Sequence, residues 1–360
     1  MANRELRHGY TTGACAAAAV KGAAQMLRDQ ELVHQVELNL PTGETALFPL
    51  HGQQLQAGGA SCFVVKDAGD DPDVTNGAEV HARVDIEFLA PRRIIIQGGE
   101  GIGRVTKPGL AVPVGEWAIN PVPRRMIHLA LREVFAMRCI PATLTVSLSI
   151  PDGAERAKKT LNERLGIVGG LSILGTTGIV RPISAQAWTD TIDTAIDVAL
   201  ACGSGTVVLS TGRSSELAVQ HHFTAEGEQL PEEAYVMMGD HVGHAVRSCL
   251  RKGVRQLVLA GQFAKLLKIA CGHEQTHVSS SDLDLRTLAD WVTQEPGIGQ
   301  LRSLVTSANT ARQVLEESGY DPRLVALVCH RALKAVRHFA PGLAVKVFMA
   351  GYRDEVLYFA

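Results

Sequence analysis

The sequence predicts two unlike domains, an α+β N-terminal domain and an α/β Rossmann-like C-terminal domain. Strand-like runs with few helices occupy the first 150 residues, which is typical of α+β folds. A Pro151-Asp152-Gly153 start followed by charged residues then marks an exposed connection. Strands and helices alternate after it, as in βαβ units. The predicted domains are residues 1–155 and 156–300, and residues 301–360 form a tail that the sequence assigns to neither.

The N-terminal elements follow from local patterns. Thr11, Thr12 and Gly13 begin an Ala-rich helix over Ala14 to Leu27, because hydroxyl side chains suit a helix N-cap. Apolar runs bounded by Gly, Pro and Asp predict strands, and one further helix precedes the last of them. The predicted strands are 35–40, 60–66, 80–89, 92–97 and 143–150, and the second predicted helix is 123–137.

The alternation in the C-terminal half predicts a parallel sheet with crossover helices. Its predicted strands are 206–210, 235–239 and 256–260, and its predicted helices are 185–201, 215–222, 241–252 and 263–270. In the tail, the predicted helices are 281–292, 300–317 and 323–338, and the predicted strands are 344–349 and 355–359.

Composition and charge exclude several classes of protein. The 360 residues are 46% hydrophobic and carry a formal net charge of −2, which excludes disorder and a broad nucleic-acid-binding surface. Apolar stretches stop short of the roughly 18 residues that a bilayer span needs, and the charged start is unlike a signal peptide. The seven cysteines stand singly, without the C-x-x-C spacing of a zinc knuckle. We expect a cytoplasmic protein without a bound metal, and leave a homo-oligomer open.

Positive charge is concentrated in one stretch. Between Pro91 and Arg132, seven cations stand against two acids. The cations are Arg92, Arg93, Arg104, Lys107, Arg124, Arg125 and Arg132. Arginine binds carboxylates through two parallel hydrogen bonds, so the stretch predicts an anionic ligand.

A second unusual stretch, residues 166–182, reads GIVGGLSILGTTGIVRP. It contains five glycines and only one charge, Arg181, so it is too apolar for an ordinary surface loop and too rich in glycine for a helix or strand. This favours a backbone that lines a pocket, with hydroxyls from Thr176 and Thr177. A packing hinge between domains is the alternative.

Polar residues follow two strands of the predicted parallel sheet. Asp240 comes after the second strand, where Rossmann-like domains bind ribose hydroxyls, although a plain helix N-cap is the alternative. Thr211 and Gly212 follow the first strand and complete a nucleoside crevice. His241 and His244 lie three residues apart at the start of the next helix, where an imidazole could move a proton.

Residues 273–277, His-Glu-Gln-Thr-His, match the H-E-x-x-H pattern of zinc metalloproteases. That mechanism needs both histidines on one face of a continuous helix. Here Gly272 favours the end of a helix, and a serine-rich loop follows. The context therefore argues against a protease.

Five long blocks of sequence carry a family resemblance. They are 9–19 (GYTTGACAAAA), 98–110 (GGEGIGRVTKPGL), 118–127 (AINPVPRRMI), 161–184 (LNERLGIVGGLSILGTTGIVRPIS) and 239–246 (GDHVGHAV). They resemble the cobalt-precorrin-5B C1-methyltransferase family of cobalamin biosynthesis, over nearly the whole chain. The family's KLAAG-x-x-x-TH block resembles residues 268–277, with Glu274 at a variable position. The turn at 210–216 is shorter than the Asn-Tyr-Gly loop of many members.

The resemblance implies transfer of a methyl group from S-adenosylmethionine to carbon 1 of a ring-contracted corrinoid, a polycarboxylate tetrapyrrole. Such a displacement needs the S–CH₃ bond in line with the acceptor carbon. We predict substrate contacts from Thr11, Thr12, Arg104, Lys107, Arg124, Arg125 and Arg181. We predict donor contacts from Asp240, Gly212, Thr211, Gly170, Thr176 and Thr177. His244, His241 and His277, in that order, are the predicted proton acceptors. The alternative functions are a non-catalytic corrinoid-binding protein and the zinc metalloprotease.

Overall fold

The computed structural model describes residues 6–88, 90–135, 142–353 and 355–360. It divides the chain into two compact units, Met1–Ser184 and Ala185–Ala360. The predicted mixture of helices and sheets is confirmed. The predicted domain boundary at residue 155 lies inside the first unit, and the predicted tail lies inside the second. None of the helices in the described ranges is long and apolar enough to cross a membrane.

The first unit is built on one five-stranded sheet. The strands described in the whole unit are β1 (Gly9–Tyr10), β2 (Gln35–Asn39), β3 (Thr45–Pro49), β4 (His51–Gln56), β5 (Gly59–Val65), β6 (Glu79–Phe88), β7 (Arg93–Gly98), β8 (Arg104–Val105), β9 (Ala142–Ser149), β10 (Ile167–Val168) and β11 (Ile179–Val180). Its helices are α1 (Thr12–Asp29), α2 (Pro121–Phe135) and α3 (Gly153–Ala157). The sheet has the order β4-β5-β6-β9-β7, and only the β7–β9 pair is parallel.

Helix α1 is buried on nearly all sides, between the sheet and α2. Its alanines and Gly22 allow this, because small side chains let the helix approach its neighbours closely. Thr11 caps the helix as predicted: its Oγ1 accepts a hydrogen bond from the N–H of Ala14 at 3.2 Å. The core of the unit therefore lies around α1.

Three glycines keep residues 151–171 within the first unit. Gly101 has a φ of +70°, and a Cβ on Gly170 would lie 2.3 Å from its carbonyl carbon. A Cβ on Gly153 would lie 2.2 Å from the Gly101 oxygen. The N–H of Leu171 also donates to that oxygen at 2.9 Å. The predicted connection at 151–159 therefore packs against the Gly101 turn and includes α3.

The second unit alternates strands and helices. Its helices are α4 (Ala185–Ala201), α5 (Arg213–Ala225), α6 (Val242–Lys252), α7 (Phe263–Ala270), α8 (Leu285–Gln294), α9 (Arg302–Ser307), α10 (Ala311–Glu317) and α11 (Pro322–Phe339). Its strands are β12 (Thr206–Ser210), β13 (Tyr235–Met237), β14 (Gln256–Gln262), β15 (Ala344–Ala350) and β16 (Val356–Phe359). The sheet order is β13-β12-β14-β15-β16, and every pair is parallel except β15–β16.

Both faces of this sheet are covered, because successive apolar side chains of its strands point to opposite faces and both sets are buried. On β12, Val207 and Leu209 belong to the large core that includes α4, α6 and α11. Val208 points the other way, into a smaller core with Val219 and Phe223 of α5. Because β15 lies inside the sheet, the tail is an integral part of this unit.

One predicted helix differs from the structure, and two other predicted elements extend beyond the described residues. The single helix predicted over 300–317 is wrong: α9 ends at Ser307 and α10 begins at Ala311. The break arises because Thr310 caps α10, accepting a hydrogen bond from the N–H of Gln313 at 3.1 Å. Residue 89 of one predicted strand and residues 136–137 of the second predicted helix lie outside the described residues.

Candidate functional site

The strand order of the second unit has a switch point at β12. After β12, the chain passes through α5 to β13 on one side, then through α6 to β14 on the other. Helices α5 and α6 lie on opposite faces, so they diverge at the carboxyl edge of β12. Open α/β sheets bind ligands at such a switch point. Thr211 and Gly212 follow β12 at this edge, and Asp240 follows the neighbouring β13.

Asp240 is held by two side chains from a later segment. Its Oδ1 accepts a hydrogen bond from Thr276 Oγ1 at 2.6 Å and forms an ion pair with Lys265. Burial acts to raise the pKa of this carboxyl, but the hydrogen bonds and the ammonium outweigh it, so the pKa is lowered. The N-cap of α6 is His241, so Asp240 is not its capping residue. The carboxylate is therefore ionised and fixed at the strand end.

His241 and Gln275 complete what we call the strand-end cluster, together with Asp240, Lys265 and Thr276. Gln275 Nε2 lies 3.1 Å from His241 Nδ1. Gln275 Oε1 is buried and accepts no hydrogen bond from any residue in the described ranges. Burial lowers the pKa of His241, against the opposing charge of Asp240. The cluster thus offers a neutral imidazole and a buried acceptor atom to a ligand.

Two further side chains hold the cluster in place. Lys268 is buried, and its Nζ donates to the carbonyl oxygens of Thr276 at 3.0 Å and Ser281 at 2.8 Å. Trp188 of α4 donates from Nε1 to the Met238 carbonyl at 3.2 Å, and its ring stacks near that of His241. Lys268 therefore fixes the loop after α7 and Trp188 fixes the turn after β13, and the N–H of Thr276 joins the two by donating to the Asp240 carbonyl at 3.0 Å.

The other two predicted proton acceptors lie in different settings. His244 points toward α4, where its Nε2 lies 3.1 Å from Asp193 Oδ1. Ser248 and Arg251 also bind that carboxylate. His277, the residue after Thr276, is exposed, and its Nδ1 lies 2.7 Å from Ser279 Oγ. Of the three histidines, only His241 has its ring nitrogen bonded within the strand-end cluster.

The H-E-x-x-H segment is not helical. Helix α7 ends at Ala270, before His273. Both oxygens of Glu274 accept hydrogen bonds from Arg247, at 2.8 and 2.7 Å. The continuous helix that a zincin needs is absent from this described segment, and the carboxylate required as its base is occupied. The geometry contradicts the protease alternative.

Replacing Glu274 by glutamine is expected to change the free energy of unfolding by about 1 kcal/mol or less, because the ion pair is exposed. Glu274 and Arg247 have side-chain exposures of 49% and 47%. Urea unfolding measures this change, and a methyl-transfer assay of the same variant is expected to match the wild type. A loss of activity of several hundredfold, with folding intact, would show that Glu274 takes part in chemistry.

The first unit carries a separate cationic site, which we call the α2 trough. It is a cavity of about 650 Å³ between residues 111–116 and the outer face of α2 from Pro121 to Arg132. Arg125, His128 and Arg132 line it, spaced three and four residues apart and therefore on one side of the helix. Val112, Pro113, Ile119 and Leu129 supply apolar walls.

Arg124 is the anchored member of the trough. Its Nε donates to the Ile119 carbonyl at 2.9 Å, and its Nη2 lies 3.9 Å from Glu116 Oε2. In contrast, the guanidinium groups of Arg125 and Arg132 form no hydrogen bond or ion pair with any residue of the described part of the chain. Burial lowers the pKa of His128, and the charges of Arg132 and Arg124 lower it further.

The remaining predicted cations lie outside the trough. Arg104 stacks over Trp117, with its Cζ 3.9 Å from the ring centroid, and donates to the Gly115 carbonyl. Lys107 Nζ donates to the Arg164 carbonyl at 3.3 Å. Arg181 is exposed beyond β11. Of the cations predicted to contact the substrate, Arg124 and Arg125 line the α2 trough, and these three do not.

The threonines and the glycine of the first unit that were predicted to contact ligands pack against, or bond to, other residues of that unit or lie exposed. Thr12 is buried, and its Oγ1 accepts from the N–H of Leu174 at 3.0 Å, which ties α1 to residues 172–174. Gly170 packs on the Gly101 turn. Thr176 is exposed, and Thr177 Oγ1 bonds locally to the backbone of Ile179. Ligand contacts by these residues stay predictions.

Several residues of both sites were not singled out by sequence reasoning. Lys265 and Gln275 lie 25 and 35 positions after Asp240, so only the fold brings them to it. Lys265 follows β14 and could have been found by the strand-end rule used for Asp240. His128 could have been found by its helical spacing from Arg124 and Arg125. No local pattern marks Gln275 or Trp188.

Comparison with known proteins identifies the family. A family model described as CbiD matches residues 1–182, more than half of the chain. The chain belongs to the CbiD family. A second model, described as the CbiD C-terminal domain, matches residues 275–360. The first match ends close to the end of the first unit, and the second covers the loop that contributes Gln275 and Thr276 to the strand-end cluster.

Relatives within the CbiD family are similar over their whole length. One from Citrifermentans bemidjiense is 65% identical over 359 residues, covering 100% of this chain and 99% of the relative. One from Geobacter sulfurreducens is 66% identical over 363 residues, covering 100% of both. Both are named cobalt-precorrin-5B C(1)-methyltransferase. A crystal structure of the cobalamin biosynthesis protein CbiD from Archaeoglobus fulgidus is 29% identical, covers 75% of this chain and 81% of that chain, and has a TM-score of 0.39.

Proposed function

We propose that this chain transfers a methyl group from S-adenosylmethionine to carbon 1 of cobalt-precorrin-5B, giving cobalt-precorrin-6A in anaerobic cobalamin biosynthesis. The observation that carries the proposal is the full-length identity of 65% and 66% to relatives bearing that enzyme's name. The corrinoid is a polycarboxylate, and cobalt enters the reaction as part of this substrate. The two candidate sites are chemically suited to the two reactants.

In this proposal the second unit is a Rossmann-like donor-binding unit. Asp240 accepts hydrogen bonds from the ribose hydroxyls of the donor, and the Thr211–Gly212 turn approaches the nucleoside. Three observations support this assignment: the switch point at β12, the ionised carboxylate fixed by Lys265 and Thr276, and the buried acceptor Gln275 Oε1. An unpaired buried acceptor costs free energy, so an N–H or O–H group of a ligand would be stabilised there.

In this proposal the first unit binds the corrinoid, the methyl acceptor. Arg124 and Arg125, with Arg132, hold acetate and propionate carboxylates by charge-assisted hydrogen bonds. S-Adenosylmethionine supplies an electrophilic methyl group, and the conjugated macrocycle is the nucleophile. Positioning the acceptor carbon in line with the S–CH₃ bond is therefore the main contribution of the protein. His241, neutral and fixed by Gln275, is our first choice to accept the proton released, ahead of His277.

The test is ligand stabilisation of the folded protein. Saturation with S-adenosylhomocysteine at about 100 times its dissociation constant is expected to stabilise the native state by about 2.7 kcal/mol. Scanning calorimetry would show this as a rise in the thermal midpoint, and incubation with S-adenosylmethionine and the corrinoid would show methyl transfer. A non-catalytic corrinoid-binding protein would bind a tetrapyrrole without responding to either sulfur compound, which would overturn the proposal.

A further inference from the structure

The α2 trough combines features that select a particular kind of ligand. Its walls include apolar side chains, of which Leu129 is 59% exposed. Arg125 and Arg132 are seven residues apart on α2, which corresponds to roughly 10 Å along a helix. A ligand that carries two anionic groups at about that separation, on an apolar body, fits both arginines and the apolar walls.

We propose that the α2 trough binds a flat polycarboxylated ring through Arg125 and Arg132, and that His128 takes up a proton as the carboxylates bind. This inference rests on the proposed function for the identity of the ring. Beyond the arginine contacts already proposed, it adds a proton that His128 takes up on binding.

Charge in the trough explains the proton uptake. The charged groups that face His128 are Arg124, Arg125 and Arg132 from α2 and Glu116 from the preceding loop. Glu116 lies nearest Arg124, so the arginines dominate the potential at the imidazole. In the free protein, burial and the neighbouring charges of Arg132 and Arg124 keep the pKa of His128 low, so the ring is neutral.

Bound carboxylates reverse that potential. A carboxylate paired with Arg132 cancels the positive charge that suppresses protonation of His128, one helical turn away. The pKa of His128 therefore rises in the complex. By linkage, a group that binds its proton more tightly in the complex makes binding stronger as the pH falls through its range.

The test uses uroporphyrin III, an octacarboxylate ring, as the probe for the full chain. Fluorescence titration at constant ionic strength is expected to give roughly tenfold tighter binding at about pH 6 than at about pH 8.5. His128→Gln is expected to bind equally at both values. Arg125→Gln and Arg132→Gln are each expected to weaken binding about tenfold or more at both. Lys158→Gln, which removes an exposed cation just after α3 in the same unit, is the control and is expected to behave as the wild type.

The outcomes separate the parts of the proposal. A His128→Gln protein that keeps the wild-type pH ratio would overturn proton uptake by His128, and His128→Asn repeats the test if the glutamine variant fails to fold. Arginine variants that bind like the wild type would overturn the site itself. If porphyrin binds as expected but S-adenosylhomocysteine does not bind, the methyltransferase proposal fails while the trough stands.

Discussion

Replacing Gly170 by alanine is expected to destabilise the first unit by about 3 kcal/mol or more. The added Cβ would lie 2.3 Å from both the carbon and the oxygen of the Gly101 carbonyl, and 2.8 Å from the Ile102 carbonyl carbon. These are backbone atoms, so no side-chain rotation relieves the clash. Gly101 cannot move easily, because the N–H groups of Leu171 and Ile102 bond into the same turn. Urea unfolding monitored by circular dichroism measures the loss.

Gly99→Ala is the matched control, in the glycine-rich turn against which Gly170 packs. A Cβ there would lie 3.4 Å from its nearest neighbour, the Leu148 carbonyl oxygen, which is an ordinary contact. We expect a change within about 1 kcal/mol of the wild type. If Gly170→Ala unfolded like this control but lost affinity for S-adenosylhomocysteine, residues 166–182 would be a donor pocket, as the sequence first indicated, and not a packing element.

Local patterns were sufficient to predict many of the regular elements of the fold. The helix predicted over 185–201 and the strand predicted over 206–210 coincide with α4 and β12, because apolar periodicity and the flanking glycines act within a few residues. Strand β4 was not predicted: its sequence, HGQQLQ, is polar, and pairing with β5 along one edge gives it order. The pair β1–β11 joins residues 9–10 to residues 179–180, a contact that no local window contains.

The position of the candidate sites was less predictable than their chemistry. The rule for strand ends led to Asp240 and Thr211, since parallel strands expose their carboxyl ends at one edge. One partner of Asp240, Lys265, lies in α7, and the other, Thr276, lies in the loop after it, which Lys268 holds in place. Similarly, a cluster of arginines could be counted in the sequence, but only the packing of α2 on α1 decides which of them face the trough.

Asp240→Asn is expected to weaken S-adenosylhomocysteine binding about 100-fold, because two hydrogen bonds from ribose hydroxyls to a charged acceptor are together worth about 3 kcal/mol. The substitution keeps the size of the side chain. The N–H of Thr276 still donates to the main-chain oxygen of residue 240 at 3.0 Å, so the loop stays in place. Isothermal titration calorimetry of the two proteins at neutral pH measures the ratio of dissociation constants.

Asp193→Asn is the control that separates ribose binding from a general effect of losing a carboxylate in the second unit. Asp193 also has a lowered pKa, since the hydrogen bonds from Ser248 and His244 outweigh its burial, but it lies between α4 and α6. Its variant is expected to lose stability and to keep its affinity. If instead Asp240→Asn bound the ligand within about threefold of the wild type, the donor would bind elsewhere, because no neutral amide can replace a carboxylate that accepts from two hydroxyls at so small a cost.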